Sequence, residues 1–157
     1  MKSKGILAVV TLTLALPVAL KAADNLALKP DLDYSDHNKR QGPIILGDHL
    51  DDGLAQGMPN YMFFYGEKCY NSKRQARTTV HMYEKYKDRV HFVIVDLDKL
   101  ESPEQKLLKN KYFIGWIPHT TVLDKNGNVV FDYSGDTVDE VLDGWLAYTL
   151  REDKPAP

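Results

Sequence analysis

The chain has 157 residues, of which 43% are hydrophobic and 27% charged, and a formal charge of −2. These values fit one compact domain and exclude fibrous, collagen-like and intrinsically disordered chains. The mildly acidic balance also argues against a nucleic-acid partner held through phosphate contacts.

The first 22 residues differ from the rest. Met1 to Lys4 carries two lysines, Gly5 to Leu20 is uncharged and mostly apolar, and the small residues Ala22 and Ala23 follow Lys21. This is the layout of a secretory signal peptide, with cleavage expected near Ala22 or Ala23. A membrane-spanning helix needs about 20 apolar residues, and Pro17 interrupts the end of this run. The expectation is therefore an exported, periplasmic protein that touches a membrane only if the segment is retained. Losing residues 1–22 removes three lysines and no acid, which moves the formal charge from −2 to −5. Disulfides form readily in exported compartments. Cys69 is the single cysteine and cannot close an internal bridge, so it calls for another role.

Residues 23–42 are polar and lack periodicity, which suggests a linker or loosely attached arm. The expected domain is 43–150, with a polar tail at 151–157. Asp48 to Gly57 reads as a short helix closed by Gly57, with Pro59 just beyond. "YMFFYG" reads as a buried strand. From Ser72 onward, Ala76, Val80, Tyr83 and Tyr86 recur at helical spacing, which gives an amphipathic helix starting at or beside Cys69. "VHFVIVDLD" is a second buried strand. "SPEQ" combines Ser102 as N-cap, Pro103 at the first helical position and Gln105 as the capping-box partner. "TTVLDKNGNVVFDY" reads as a β-hairpin turning at Asn126 and Gly127. The last helix is expected to open with a Thr137/Glu140 capping box and to bury a stripe of Val138, Leu142, Trp145, Leu146 and Leu150. The order α, β, α, β, α, β, β, α implies an α/β fold with a central mixed sheet flanked by helices.

Two segments, "FYGEKCYNSK" and "YFIGWIPHTTVLDKNGNVV", give the chain a close resemblance to the thioredoxin-like fold family over residues 43–150. The run "LDDGLAQGMPNYMFFYGEKC" is similar to exported thioredoxin-like domains. The resemblance implies that Cys69 is the nucleophile, that Ser72 stands where the family's resolving cysteine would be, and that Pro118 is the cis-proline in the loop before the hairpin. It also marks departures. Lys68 replaces a usual tryptophan, and Phe63 occupies the place of a buried aspartate found in many members. No cofactor is implied.

A thiol at a helix N-terminus faces unsatisfied N–H groups and the positive end of the dipole, both of which favour thiolate. Lys68 and Lys73 flank Cys69, and Arg74 and Arg77 follow. These cations either support an anion or splay into water, and Glu67 acts in the opposite sense. Cys69 can attack a disulfide, but Ser72 cannot resolve the product, so turnover needs an external thiol. Protein thiols or disulfides and small thiols such as glutathione are the expected partners. Ser72 can still donate a hydrogen bond to the sulfur. The competing reading of Cys69 is an inert buried side chain in a redox-inactive client-binding or assembly module.

Tyr70 and Trp116 are candidates for an apolar platform under an extended client. Ile117 and His119 flank Pro118 and complete the candidate substrate-binding set. His119 has two readings: an imidazolium near the thiol or, preferred, a hairpin-edge residue facing solvent. His37, His49, His81 and His91 lack metal-ligand spacing, so no metal site is expected.

Overall fold

A computed structural model of the chain describes residues 24–29, 45–47, 50 and 53–151. The expected signal peptide, residues 30–42 of the expected arm and residues 152–157 of the tail lie outside these. In chain order the elements are β1 (Ala27–Leu28), β2 (Ile45–Leu46), β3 (Asn60–Tyr65), α1 (Tyr70–Tyr86), β4 (His91–Asp96), α2 (Pro103–Tyr112), β5 (His119–Leu123), β6 (Val129–Ser134) and α3 (Asp139–Thr149).

β3 and β4 are both buried along their whole length, as expected for strands covered on two faces. They pair in parallel, with Phe63 opposite Ile94 and Tyr65 opposite Asp96. Parallel neighbours need a crossover, which α1 supplies. β5 runs antiparallel to β3, and the hairpin adds β6 to give the order β4-β3-β5-β6. Side chains alternate across the sheet and so feed two cores. Tyr61, Phe63 and Tyr65 pack with Ala76, Met82 and Tyr86 of α1 and Leu142 and Leu146 of α3. Met62, Phe64, Val93 and Val95 pack with Leu108 and Tyr112 of α2. Fully burying each large apolar side chain contributes about 1.5–3 kcal/mol, so the two β strands anchor the domain.

The capping box of α2 forms as its sequence requires. Ser102 Oγ accepts from Gln105 N at 3.1 Å, and Gln105 Oε1 accepts from Ser102 N at 3.0 Å. Gln105 is also fully buried and donates through Nε2 to the Gly47 carbonyl at 2.7 Å. Thus one side chain caps α2 and ties it to β2.

Four expectations need correction. The Asp48–Gly57 helix is absent from the described part of that segment, where Gly53 to Pro59 runs as bends. Gly53, inside the expected span, takes a positive φ of 64°, and such a backbone cannot continue a right-handed helix; Gly57 takes the positive φ of a closing residue, 73°, with no helix before it to close. The arm is not loose over Asp24–Lys29. Asp24 Oδ1 accepts the Phe92 N–H at 2.8 Å, Asn25 Oδ1 accepts the Ile94 N–H at 2.7 Å, and Asn25 Nδ2 donates to the Ile94 carbonyl at 2.7 Å. Together with the Asp96 N–H to Gly47 carbonyl bond of 3.3 Å, these contacts seal the outer edge of β4. A Cβ on Gly47 would meet Ile94 atoms at 2.5–2.7 Å, so only glycine lets the chain lie this close.

The other two corrections concern α3. Its N-cap is Val138, one residue later than expected, and valine has no side-chain oxygen to accept a cap bond; the Thr137 N–H, which the box would have offered to Glu140, is held instead by Gln75 Oε1. The expected apolar stripe is narrower than its spacing suggests: Leu142 and Leu146 are buried, whereas Val138 and Trp145 are exposed. Among the described residues no helix is long and apolar enough to cross a membrane.

Candidate active site

The site forms where the C-terminal end of β3 turns into α1. Gly66 to Cys69 is a tight turn closed by Cys69 N–H donating to the Gly66 carbonyl at 3.1 Å. Cys69 is the N-cap of α1, with extended backbone angles of φ −85° and ψ 119° and no side-chain capping bond. Its carbonyl accepts the Lys73 N–H at 3.1 Å. The side chain is thereby left out of the helix and points across to the loop before β5, where Sγ lies 3.7 Å from the Ile117 carbonyl oxygen. Cys69 is half-buried. The Ile117–Pro118 peptide is cis, and the Pro118 carbonyl accepts the Gly135 N–H at 2.7 Å. Gly66 allows the two loops to meet, since a Cβ there would sit 2.6 Å from Ile117 Cδ1.

The structure therefore brings Cys69, Ile117 and Pro118 together. It places Ser72 differently. Ser72 is fully buried, and its Oγ accepts the Gly66 N–H at 3.5 Å, so the hydrogen bond it makes braces the turn and does not reach the sulfur. Tyr70 and Trp116 stand at the rim, 46% and 68% exposed, on the two segments that meet at the thiol. Such exposure of large aromatic rings beside the thiol suits contact with a polypeptide.

The flanking cations divide into distinct cases. Lys68 is exposed, and Lys73 is buried, so Lys73 does not splay into water. Arg74 pairs with Asp136 and lies over the Tyr70 ring, 5.7 Å from its centroid. Glu67 is held by Lys29 at 2.7 Å, which offsets its negative charge next to the thiol.

His119 departs from its preferred reading. It does not face solvent at the hairpin edge; it is buried within β5. The rings of Phe64 and Phe113 pack on it at 5.7 and 5.6 Å, and Nε2 lies 2.8 Å from Asp132 Oδ1. Burial lowers its pKa, opposed by Asp132, which weakens any role as a standing positive charge.

Sequence reasoning missed Asp96. This carboxyl is fully buried at the end of β4. Its Oδ2 accepts the Tyr65 hydroxyl at 3.2 Å, and its Oδ1 accepts the Asp98 N–H at 2.9 Å. Burial pushes its pKa up, and burial together with Asp96 pushes the Tyr65 hydroxyl up as well. Phe63 leaves β3 without a carboxylate, and β4 carries one opposite Tyr65 instead. The signal was present in the acid inside "VHFVIVDLD", a charged residue within a run expected to be a buried strand.

The family profile for the thioredoxin-like domain matches residues 48–150. Among curated proteins, the chloroplast thioredoxin-like protein HCF164 of Oryza sativa subsp. japonica is 33% identical over 78 residues, which is 50% of this chain and 29% of that protein. The thylakoid membrane protein slr1796 of Synechocystis is 28% identical over 102 residues, 62% of this chain and 50% of that one. The chain thus spans half or less of the length of these relatives. A malarial protein of known structure superimposes with a TM-score of 0.51 at 19% identity, covering 60% of this chain and 99% of that one, a likeness of fold alone.

Proposed function

The chain belongs to the thioredoxin-like domain family, and from that premise we propose that it is an exported protein that carries out monothiol thiol–disulfide exchange through Cys69. The observation that carries this reading is the placement of the Cys69 sulfur at the start of α1, 3.7 Å from the Ile117 carbonyl. The thiolate form of a cysteine is the nucleophile in such exchange. The Cys69 thiolate attacks one sulfur of a client disulfide. A Cys69–client S–S bond forms, the client's own S–S bond breaks, and the second client sulfur leaves as a thiolate that takes up a proton. Ser72 has no sulfur with which to release the client, so an external thiol, from a small molecule such as glutathione or from a protein, attacks the mixed disulfide and returns Cys69 to its reduced form.

Tyr70, Trp116 and Ile117 provide the apolar contact for the client, with Pro118 shaping the loop. Lys68 supplies positive charge at the exposed side of the thiol. Export agrees with the signal-like residues 1–22 and with relatives named for the chloroplast and the thylakoid membrane; a periplasmic setting is the form of export we favour.

A second reading is favoured by one specific observation, the burial of Ser72 against Gly66: the protein is a redox-inactive module that holds clients on the same surface. Mixing the reduced full chain with a disulfide-bonded peptide and measuring intact mass separates the two. Exchange predicts a Cys69–peptide adduct that is lost with Cys69→Ala and released by glutathione. Peptide binding that forms no adduct and survives Cys69→Ala contradicts it.

A further inference from the structure

The loop from Tyr112 to Pro118 joins α2 to β5 and carries Ile114, Trp116 and Ile117. Two side chains from the sheet fix its shape. Ser134 Oγ donates to the Ile114 carbonyl at 2.8 Å. The same oxygen lies 2.8 Å from His119 Nδ1 and 3.4 Å from the Trp116 N–H. Gly115 passes so close that a Cβ would meet Ser134 Oγ at 2.7 Å, and its φ is +100°. The other ring nitrogen of His119, Nε2, faces the Tyr112 carbonyl at 3.0 Å, Asp132 Oδ1 at 2.8 Å and Thr121 Oγ1 at 3.2 Å.

A hydroxyl carries one hydrogen, and at Ser134 two acceptors compete for it. When the His119 ring holds two protons, Nδ1–H donates to Ser134 Oγ and Nε2–H donates towards Asp132 and Tyr112. The serine hydrogen is then free to hold Ile114. When the ring is neutral, one nitrogen is a bare acceptor. A bare Nδ1 draws the serine hydrogen away from Ile114. A bare Nε2 confronts a carbonyl and a carboxylate with only the Thr121 hydroxyl able to donate. Because a carbonyl and a carboxylate face Nε2, the single proton of the neutral ring belongs on Nε2, and Nδ1 is the nitrogen left bare.

We propose that His119 is a positioning residue for the loop 112–118: the second proton on its ring leaves the Ser134 hydroxyl on Ile114 and so fixes how Trp116 and Ile117 are presented beside Cys69. This deepens the exchange reading and rests on that loop being the client platform. The groups facing the ring are Asp132 and Ser134 from β6, Thr121 from β5, the Tyr112 carbonyl from α2, and the Phe64 and Phe113 rings, with Asp132 the charged one. Burial outweighs Asp132 and lowers the ring's pKa, so the change falls on the acid side of the ordinary histidine value of about 6.5. Conditions acid to that change hold the loop, and neutral ones release it.

The test follows the His119 ring resonances of the full chain by NMR from about pH 4 to about pH 8, together with the amide resonances of Ile114, Gly115 and Trp116. The expected result is one shared midpoint, with protection of the loop amides, after division by the base-catalysed intrinsic exchange rate, roughly fivefold lower above it, the equivalent of one ordinary hydrogen bond. Ser134→Ala should keep the ring titration and flatten the loop response. Asp132→Asn should move both midpoints down together. A ring that does not titrate in this range, loop amides that stay flat while it does, or an unchanged loop response in Ser134→Ala would each overturn the proposal. None of these readouts involves the thiol. An inert Cys69 would therefore sink the exchange function and leave this result standing.

Discussion

The two edges of the sheet are managed in opposite ways. At β4, the N–H groups of Phe92, Ile94 and Asp96 are taken by Asp24, Asn25 and the Gly47 carbonyl. Side chains stand in for most of a missing strand. Behind them, His91 is fully buried, with Nδ1 2.9 Å from Asp24 Oδ1 and Nε2 3.0 Å from the Gly53 carbonyl. At β6 no further strand pairs among the described residues, and Val129 and Tyr133 are each 50% exposed. That edge carries Asp132 and follows a register shift at Val122/Leu123, both features that discourage unwanted strand addition. The sealed edge belongs to the fold's foundation. The open edge leads, through Ser134 and Gly135, to the cis-proline loop and hence to the candidate site. A sheet can thus keep one edge covered and leave the other accessible.

The strongest way to break this comparison is to remove the seal. Asp24→Ala combined with Asn25→Ala strands two buried N–H groups of β4 and leaves His91 without its carboxylate. A loss of about 2–4 kcal/mol is expected, since an unsatisfied buried group costs about 1–3 kcal/mol, and urea denaturation measures it. A loss under about 0.5 kcal/mol would mean that the segment is not held on the edge.

Asp96 sharpens the comparison from within the sealed strand. Its folded pKa is raised by burial, so the folded state binds the proton more tightly than the unfolded chain. Stability is fullest below the unfolded value of about 3.9 and falls as pH rises through the folded value. Asp96→Asn should remove that decline and gain about 1 kcal/mol at neutral pH, because a buried polar amide costs less than a buried charge. Its oxygen can keep the Asp98 N–H, while the Tyr65 hydroxyl turns to accept. Thermal unfolding at several pH values checks the slope. A wild type with no decline above the unfolded value would count against it.

The smallest effect belongs to the open edge. Val129→Ala should change stability by no more than about 0.5 kcal/mol, as exposed substitutions usually do. A cost comparable to that at Asp24 and Asn25, measured by the same urea curves, would mean that β6 has a partner equivalent to the β4 seal.

Legibility in the sequence tracks how local the physics is. The capping box of Ser102 and Gln105, the Asn126–Gly127 turn and the helix start at Cys69 depend on neighbours within a few residues, and all three are readable from the order of residues alone. The β4 seal is not. Asp24 and Asn25 lie almost seventy residues from the strand they complete, and polar side chains used as backbone surrogates look like a solvated arm. Thr137 has the residue pattern of an N-cap, yet the helix takes Val138 as its N-cap and Gln75, from another helix, accepts the Thr137 N–H that Glu140 would have bound. His119 shows the same limit at the site. Its place after Pro118 is readable, but its burial depends on Phe64, Phe113 and Asp132 converging from three separate segments. The thiol's own position is legible because a strand, a turn and a helix start place it through local geometry. Asp96 is not, because an acid at a strand end is ordinary until the neighbouring strand covers it.

The most direct test of the central claim is the rate of Cys69 alkylation against pH in the reduced full chain. Exchange predicts that Cys69 of the folded chain is labelled at least as fast as the same cysteine in the urea-unfolded chain. Slower labelling than in the unfolded chain at every pH, or none until the protein unfolds, would contradict thiol–disulfide exchange and leave a binding module on the same frame.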